Sequence, residues 1–140
     1  MKKVFIKSEE NNFQISIIGI ASVESDYKMA WLLNNRFGVE LAQKEENVIL
    51  ETSDCVGFSY FFYQKSEEYF YILVNNRASN SILSSKNKNL DFFLYIVSSQ
   101  KGQIQSEILS ELKKFKEIRT AFKIKNDKIL DKIPDIILKF

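Results

Sequence analysis

Two aromatic runs separated by a short polar turn constrain this chain more than any other feature. Residues 56–64 read VGFSYFFYQ, residues 65–68 read KSEE, and residues 69–75 read YFYILVN. In an extended chain successive side chains point to opposite faces. Phe58, Tyr60 and Phe62 therefore share one face, and Phe61 and Tyr63 the other. The second run is apolar at almost every position. Strand, polar turn, strand is the signature of a hairpin. With apolar groups on both faces, the hairpin belongs in the middle of a sheet, with helices over one face and other material over the second.

The second organising stretch is residues 19–38, GIASVESDYKMAWLLNNRFG. Residues 13–20 alternate as a strand and lead into it. Ser22 is the expected N-cap, its hydroxyl accepting a free backbone N–H of the first turn. Glu24 and Asp26 then lie where the helix dipole favours carboxylates. At ~100° per residue, Val23, Tyr27, Ala30, Asn34 and Phe37 form one face, flanked by Trp31 and Leu33. Ser25, Lys28, Leu32 and Arg36 lie on or near the other, and Gly38 provides a left-handed stop. Asn34 is the odd member, an amide inside an apolar stripe. Burial without partners would cost it several kcal/mol. Either it ties the helix to a strand edge or neighbouring loop, or it lines a pocket with Tyr27 and Trp31.

The remaining elements follow the same periodicities. Short strands are expected at residues 1–7, 39–43 and 47–52, and a long polar loop at 76–89. A buried strand follows at 90–97, a second helix at 103–118 and a strand at 119–125. Residues 127–132 read as a turn or a short helical turn. Pro134 punctuates, and residues 136–140 read as a last strand. At 140 residues the chain is one domain, 1–140. The expected fold is α+β: a mostly antiparallel sheet with two helices on one face, a ferredoxin-like core with added strands. Two helices cover only one face of a sheet. The apolar second face therefore calls for a partner, most simply another copy.

Composition removes whole classes of chemistry. There is no histidine and one cysteine, Cys55. Ser-His-Asp and Cys-His catalysis, histidine bases and single-chain zinc sites are excluded. Twenty basic against eighteen acidic residues give a net charge of +2, too balanced to call for nucleic acid or a membrane. The start of the chain has no signal-peptide pattern and no run is long enough to span a bilayer, so the cytoplasm is expected. Residues 56–63 imitate the RNP1 strand of RNA-recognition motifs, but the order of elements is wrong for that fold. Asp26 and Asp91 are candidate carboxylates. Each reads first as structural, at a helix start and a strand start. Residues 98–102 precede a helix and resemble an anion cradle without the glycines.

Ile18-Gly19-Ile20, then Asp26-Tyr27-Lys28-Met29-Ala30-Trp31-Leu32-Leu33-Asn34, and finally Leu90-Asp91-Phe92 resemble the IPExxxVDY family. These are small bacterial proteins of uncharacterised function. Ser84-Ser85-Lys86 stand where that family carries IPE. The resemblance implies no catalytic residues and no cofactor. The expectation is a non-enzymatic protein-interaction or regulatory module that self-associates. An ACT-like small-molecule sensor is the alternative, with an RNA-binding domain behind it.

Overall fold

The computed structural model describes residues 13–49, 57–99 and 104–138. The expected strand at residues 1–7, and Cys55, lie outside them. In chain order the elements are β1 (Gln14–Ala21), α1 (Asp26–Phe37), β2 (Ala42–Gln43), β3 (Val48–Ile49), β4 (Gly57–Phe58), β5 (Tyr60–Ser66) and β6 (Tyr69–Asn75). Then come β7 (Arg77–Ala78), β8 (Ser81–Ile82), β9 (Phe92–Ser98), α2 (Ile104–Leu112), β10 (Thr120–Lys123) and α3 (Lys128–Leu138). The main sheet runs β10-β1-β9-β6-β5-β2, and every neighbouring pair is antiparallel. Its first four strands, taken with α1 and α2, are the ferredoxin-like βαββαβ unit. β5 and β2 extend that unit at the β6 edge, so the α+β expectation holds.

Alternation along the strands sends two sets of side chains to two cores. Ile18, Ile20, Leu73, Leu94 and Ile96 meet Met29, Ala30 and Leu33 of α1 and Ile108 and Leu112 of α2. On the opposite face Ile17, Ile72, Phe93, Tyr95 and Val97 meet Leu130, Ile133 and Leu138 of α3, with Val48 and Phe58 from the β3–β4 ribbon and Leu83 just after β8. The central strand β9 is buried along its whole length, as a strand covered on both faces must be.

Helix α3 overturns two expectations at once. The expectation is a turn or short helical turn at 127–132 and a strand at 136–140. Instead Leu130, Ile133, Pro134 and Leu138, spaced for one helical face, are buried. Asp127 caps the helix, its Oδ1 accepting from the amides of Ile129 at 3.1 Å and Leu130 at 3.0 Å. Asn126 enters with φ 62, the left-handed conformation that asparagine tolerates. Pro134 lacks the N–H that would bond to the Leu130 carbonyl. The Tyr95 hydroxyl donates to that carbonyl instead, at 2.6 Å. Burying each of the three large side chains is worth about 1.5–3 kcal/mol, enough to hold the helix down. The second sheet face is therefore covered by the chain itself, and that face does not call for a partner.

The run 56–64 is not one strand. It breaks at Ser59, with β4 pairing β3 in a separate ribbon and β5 entering the main sheet. Phe58 and Tyr60 are each 4% exposed, so the RNP1-like rings form no open platform. Burial raises the hydroxyl pKa of Tyr60, Tyr69, Tyr71 and Tyr95 above the ordinary 10.0. No described helix is long and apolar enough to cross a membrane.

Candidate functional site

Helix α1 carries most of the residues picked out from sequence, and the structure turns it differently than expected. Its N-cap is Ser25, whose hydroxyl accepts from the Lys28 amide at 3.2 Å. Ser22 instead closes β1. Its amide donates to Asp91 Oδ2 at 2.9 Å and its hydroxyl to the Glu117 carbonyl at 2.7 Å. The buried face of α1 is Met29, Ala30 and Leu33. Tyr27 and Trp31, expected to point inward, are 64% and 58% exposed, and Val23 just before the helix is 80% exposed. Two apolar stripes overlap at Ala30, and the sheet took the purely aliphatic one. Tyr and Trp carry a polar atom that water satisfies, so they are the cheaper pair to leave outside.

Both flanks of the helix are pinned. On the β2 side, Asn34 makes a two-point contact with the backbone of Leu41. Its Nδ2 donates to the Leu41 carbonyl at 3.2 Å and its Oδ1 accepts from the Leu41 amide at 2.8 Å. The direction of those groups follows from the ladder. The Lys44 amide donates to the Tyr60 carbonyl at 3.1 Å. Antiparallel pairs alternate between bonded and non-bonded, so Leu41, three residues earlier, turns its peptide groups away from β5. Tyr27 sets its ring edge-on to Phe61 at 5.6 Å between centroids, and its hydroxyl donates to Gln43 Oε1. Asp26 Oδ2 accepts from Asn75 Nδ2 at 2.8 Å, and the same nitrogen donates to Ser59 Oγ at 2.5 Å. On the α2 side, Arg36 meets Glu111 at 2.6 Å and lies over the Phe115 ring at 4.9 Å. Lys114, and after it Arg36, hold the Glu111 carboxyl below the usual carboxylate range.

Asn34→Ala should therefore lose about 1–3 kcal/mol, since two backbone groups lose their partner. Asn34→Asp should be worse, because the carboxylate accepts from the Leu41 amide but repels its carbonyl. Urea melts of both variants check this, and wild-type midpoints in both would mean that the contact has no net value.

Asp91 lies apart from α1's outer face, in a polar junction at the far end of β9. It accepts from Ser22 and, at 3.2 Å, from Arg77 Nε. Beside it Asn76 is fully buried. Asn76 Nδ2 donates to the carbonyls of Asn87 at 3.1 Å and Leu90 at 2.8 Å, and Oδ1 accepts from the Ser84 amide at 2.9 Å. Ser84 Oγ donates to Asp127 Oδ2 at 2.5 Å, and Asn87 Nδ2 donates to the same oxygen at 2.9 Å. These groups satisfy one another and fasten the 76–89 loop to α3. At the turn read as an anion cradle, the Ser99 hydroxyl donates to Glu68 Oε1 at 2.7 Å, the wrong charge for an anion. Residues 100–103 lie outside the described set. Among the described residues no three His, Cys, Asp or Glu side chains gather as metal ligands.

Of the sequence candidates, Asp26, Tyr27, Trp31 and Asn34 thus come together on one rigid helix, and Asp91 does not join them. Gln43, Asn75 and Leu41, which complete the pinning, gave no sequence signal, because each acts only through a partner distant in the chain. The sequence matches no known protein family model, and no curated protein matches it.

Proposed function

We propose that this protein is a non-enzymatic interaction module whose contact surface is the outer face of α1, and that its first partner is a second copy of itself. The observation that carries this is the exposure of Val23, Tyr27 and Trp31, at 80%, 64% and 58%, on a helix fixed along both flanks. Large aromatic side chains anchor interfaces out of proportion to their number. A surface already held rigid loses little freedom on binding. Charge favours self-pairing. In an antiparallel pair of α1 helices centred on Trp31, the positive start of each helix lies beside the negative end of the other. The two helix dipoles then oppose each other favourably. The residues that carry the IPExxxVDY resemblance, Asp26, Tyr27, Asn34 and Asp91, hold the fold together. Kinship with that family belongs to the same proposal.

Trp31 is the only tryptophan, so its emission reports this surface directly. Sedimentation velocity over a concentration series should show a weak monomer–dimer equilibrium, because a helix pair falls short of the ~1,600 Å² of a standard interface. Trp31 emission should shift to the blue as dimer forms, and Trp31→Ala should abolish association without lowering the melting temperature. A strict monomer with concentration-independent emission overturns the self-pairing.

A further inference from the structure

The fold gathers positive charge at one edge of the sheet. Residues 113–128 carry seven basic side chains, Lys113, Lys114, Lys116, Arg119, Lys123, Lys125 and Lys128, against Glu117 and Asp127. That is a net +5, while the whole chain is +2, so the remaining residues carry −3. This segment forms the outermost strand, β10, with the connections on either side of it. All seven basic residues are exposed, whereas Asp127 is buried and Glu117 is half-buried. Lys86 adds to the same edge, its Nζ donating to the Asn126 carbonyl at 2.6 Å. The opposing charges next to this segment along the chain are Glu111, whose carboxylate pairs with Lys114 at 3.2 Å and with Arg36 at 2.6 Å, and the exposed Asp131 of α3. At the other edge, around β2, Glu40, Glu45 and Glu46 outnumber Lys44. The balanced composition thus conceals a strongly polarised molecule.

We propose that the β10 edge binds single-stranded nucleic acid, with phosphates held by Arg119, Lys123 and Lys125 and the flanking lysines. Lys123 and Lys125 lie two residues apart, about 7 Å in an extended chain, comparable to the step between successive phosphates of an extended strand. Phe122, between them and Arg119, is 42% exposed on the other side of the strand, where it offers one base a stacking surface at the rim. An acidic peptide added as a further strand is the competing occupant. Lysines on an edge strand discourage that pairing, whereas they suit a polyphosphate that needs no strand register. This surface is distinct from the outer face of α1 and does not depend on it.

Fluorescence anisotropy with a labelled deoxythymidine 15-mer tests the proposal. Binding should weaken with salt with a log–log slope of about −2 to −3, from three or four phosphate contacts at ~0.7 each. Lys123→Glu with Lys125→Glu should reduce affinity at least tenfold and flatten the slope. Phe122→Ala should reduce affinity about fivefold or more with the slope unchanged. Lys44→Glu with Lys65→Glu, at the opposite edge, should leave binding intact, and circular dichroism melts confirm that each variant folds. No binding at about 20 mM salt, or equal loss in the two charge-reversal pairs, overturns the proposal. So does equally tight binding of a polyglutamate of the same charge with no effect of Phe122→Ala, which would reassign the edge to an acidic protein.

Discussion

Asn76→Ala is expected to remove about 3–5 kcal/mol of stability, a large part of what a domain this size possesses. The side chain is fully buried and serves three backbone groups, the carbonyls of Asn87 and Leu90 and the amide of Ser84. Each is left in a dry environment when the amide is removed, at about 1–3 kcal/mol apiece before relaxation. The backbone of Asn76 also takes part, donating to the Asp91 carbonyl at 3.0 Å and accepting from Leu83 at 2.7 Å, and alanine keeps those bonds. Asn76→Asp should be at least as damaging, since it places a charge and two lone pairs against two carbonyls. The measurement is the urea midpoint at unchanged slope, with exposed Asn35→Ala as the control expected to stay within ~0.5 kcal/mol of wild type. A midpoint for Asn76→Ala within that margin would mean that water replaces the amide, and the junction would not be the anchor described.

The second large effect is a coupling. Tyr95→Phe should cost about 1–3 kcal/mol, because the Leu130 carbonyl loses its donor in a buried setting. That carbonyl depends on Tyr95 only because residue 134 is a proline. In a Pro134→Ala background the residue-134 amide supplies an ordinary helical bond, so Tyr95→Phe should then cost markedly less. A double-mutant cycle should give a coupling of roughly 1 kcal/mol or more. Strict additivity would show that the hydroxyl and the proline are unrelated. Tyr95 and Leu130 both have no exposed surface, so solvent is a poor substitute for either partner.

The same pair explains part of what the sequence concealed. Alternation and helical periodicity place β1, β6, β9 and α1 close to where they occur, because each buries a face that repeats, whereas α2 stops at Leu112 and the expected helical stretch to 118 is turns. α3 has that repeat too, in Leu130, Ile133 and Leu138, but a proline in its middle reads as an end. Only a donor from a strand far away in sequence makes the proline tolerable there. The orientation of α1 was ambiguous for a different reason. Its apolar sector is wider than the surface it covers, so hydropathy alone does not choose between Met29-Leu33 and Tyr27-Trp31. The loop 76–89 looked like solvent-exposed polar chain. Its amides and hydroxyls instead bind one another, a pattern that resembles hydrophilicity until the partners are known. The charge asymmetry was present in the composition but averaged away by the whole-chain sum. Only the strand order shows that the basic segment stands at an edge.

Asn34 also bears on how the sheet ends. A strand with free peptide groups along its outer side is a template on which any extended chain can dock. At Leu41 the amide of Asn34 presents one donor and one acceptor at the spacing of a peptide unit, and so acts as a single rung of a strand that the protein does not have. The rung is supplied by a helix and cannot be extended, so addition of further strands stops there. At β10 the same task falls to lysines, which repel by desolvation rather than by occupying the bonds. A chain without the Asn34 amide would keep its core and helices yet leave one rung of its β2 margin open to other molecules, which makes a residue outside every strand a guard of the sheet edge.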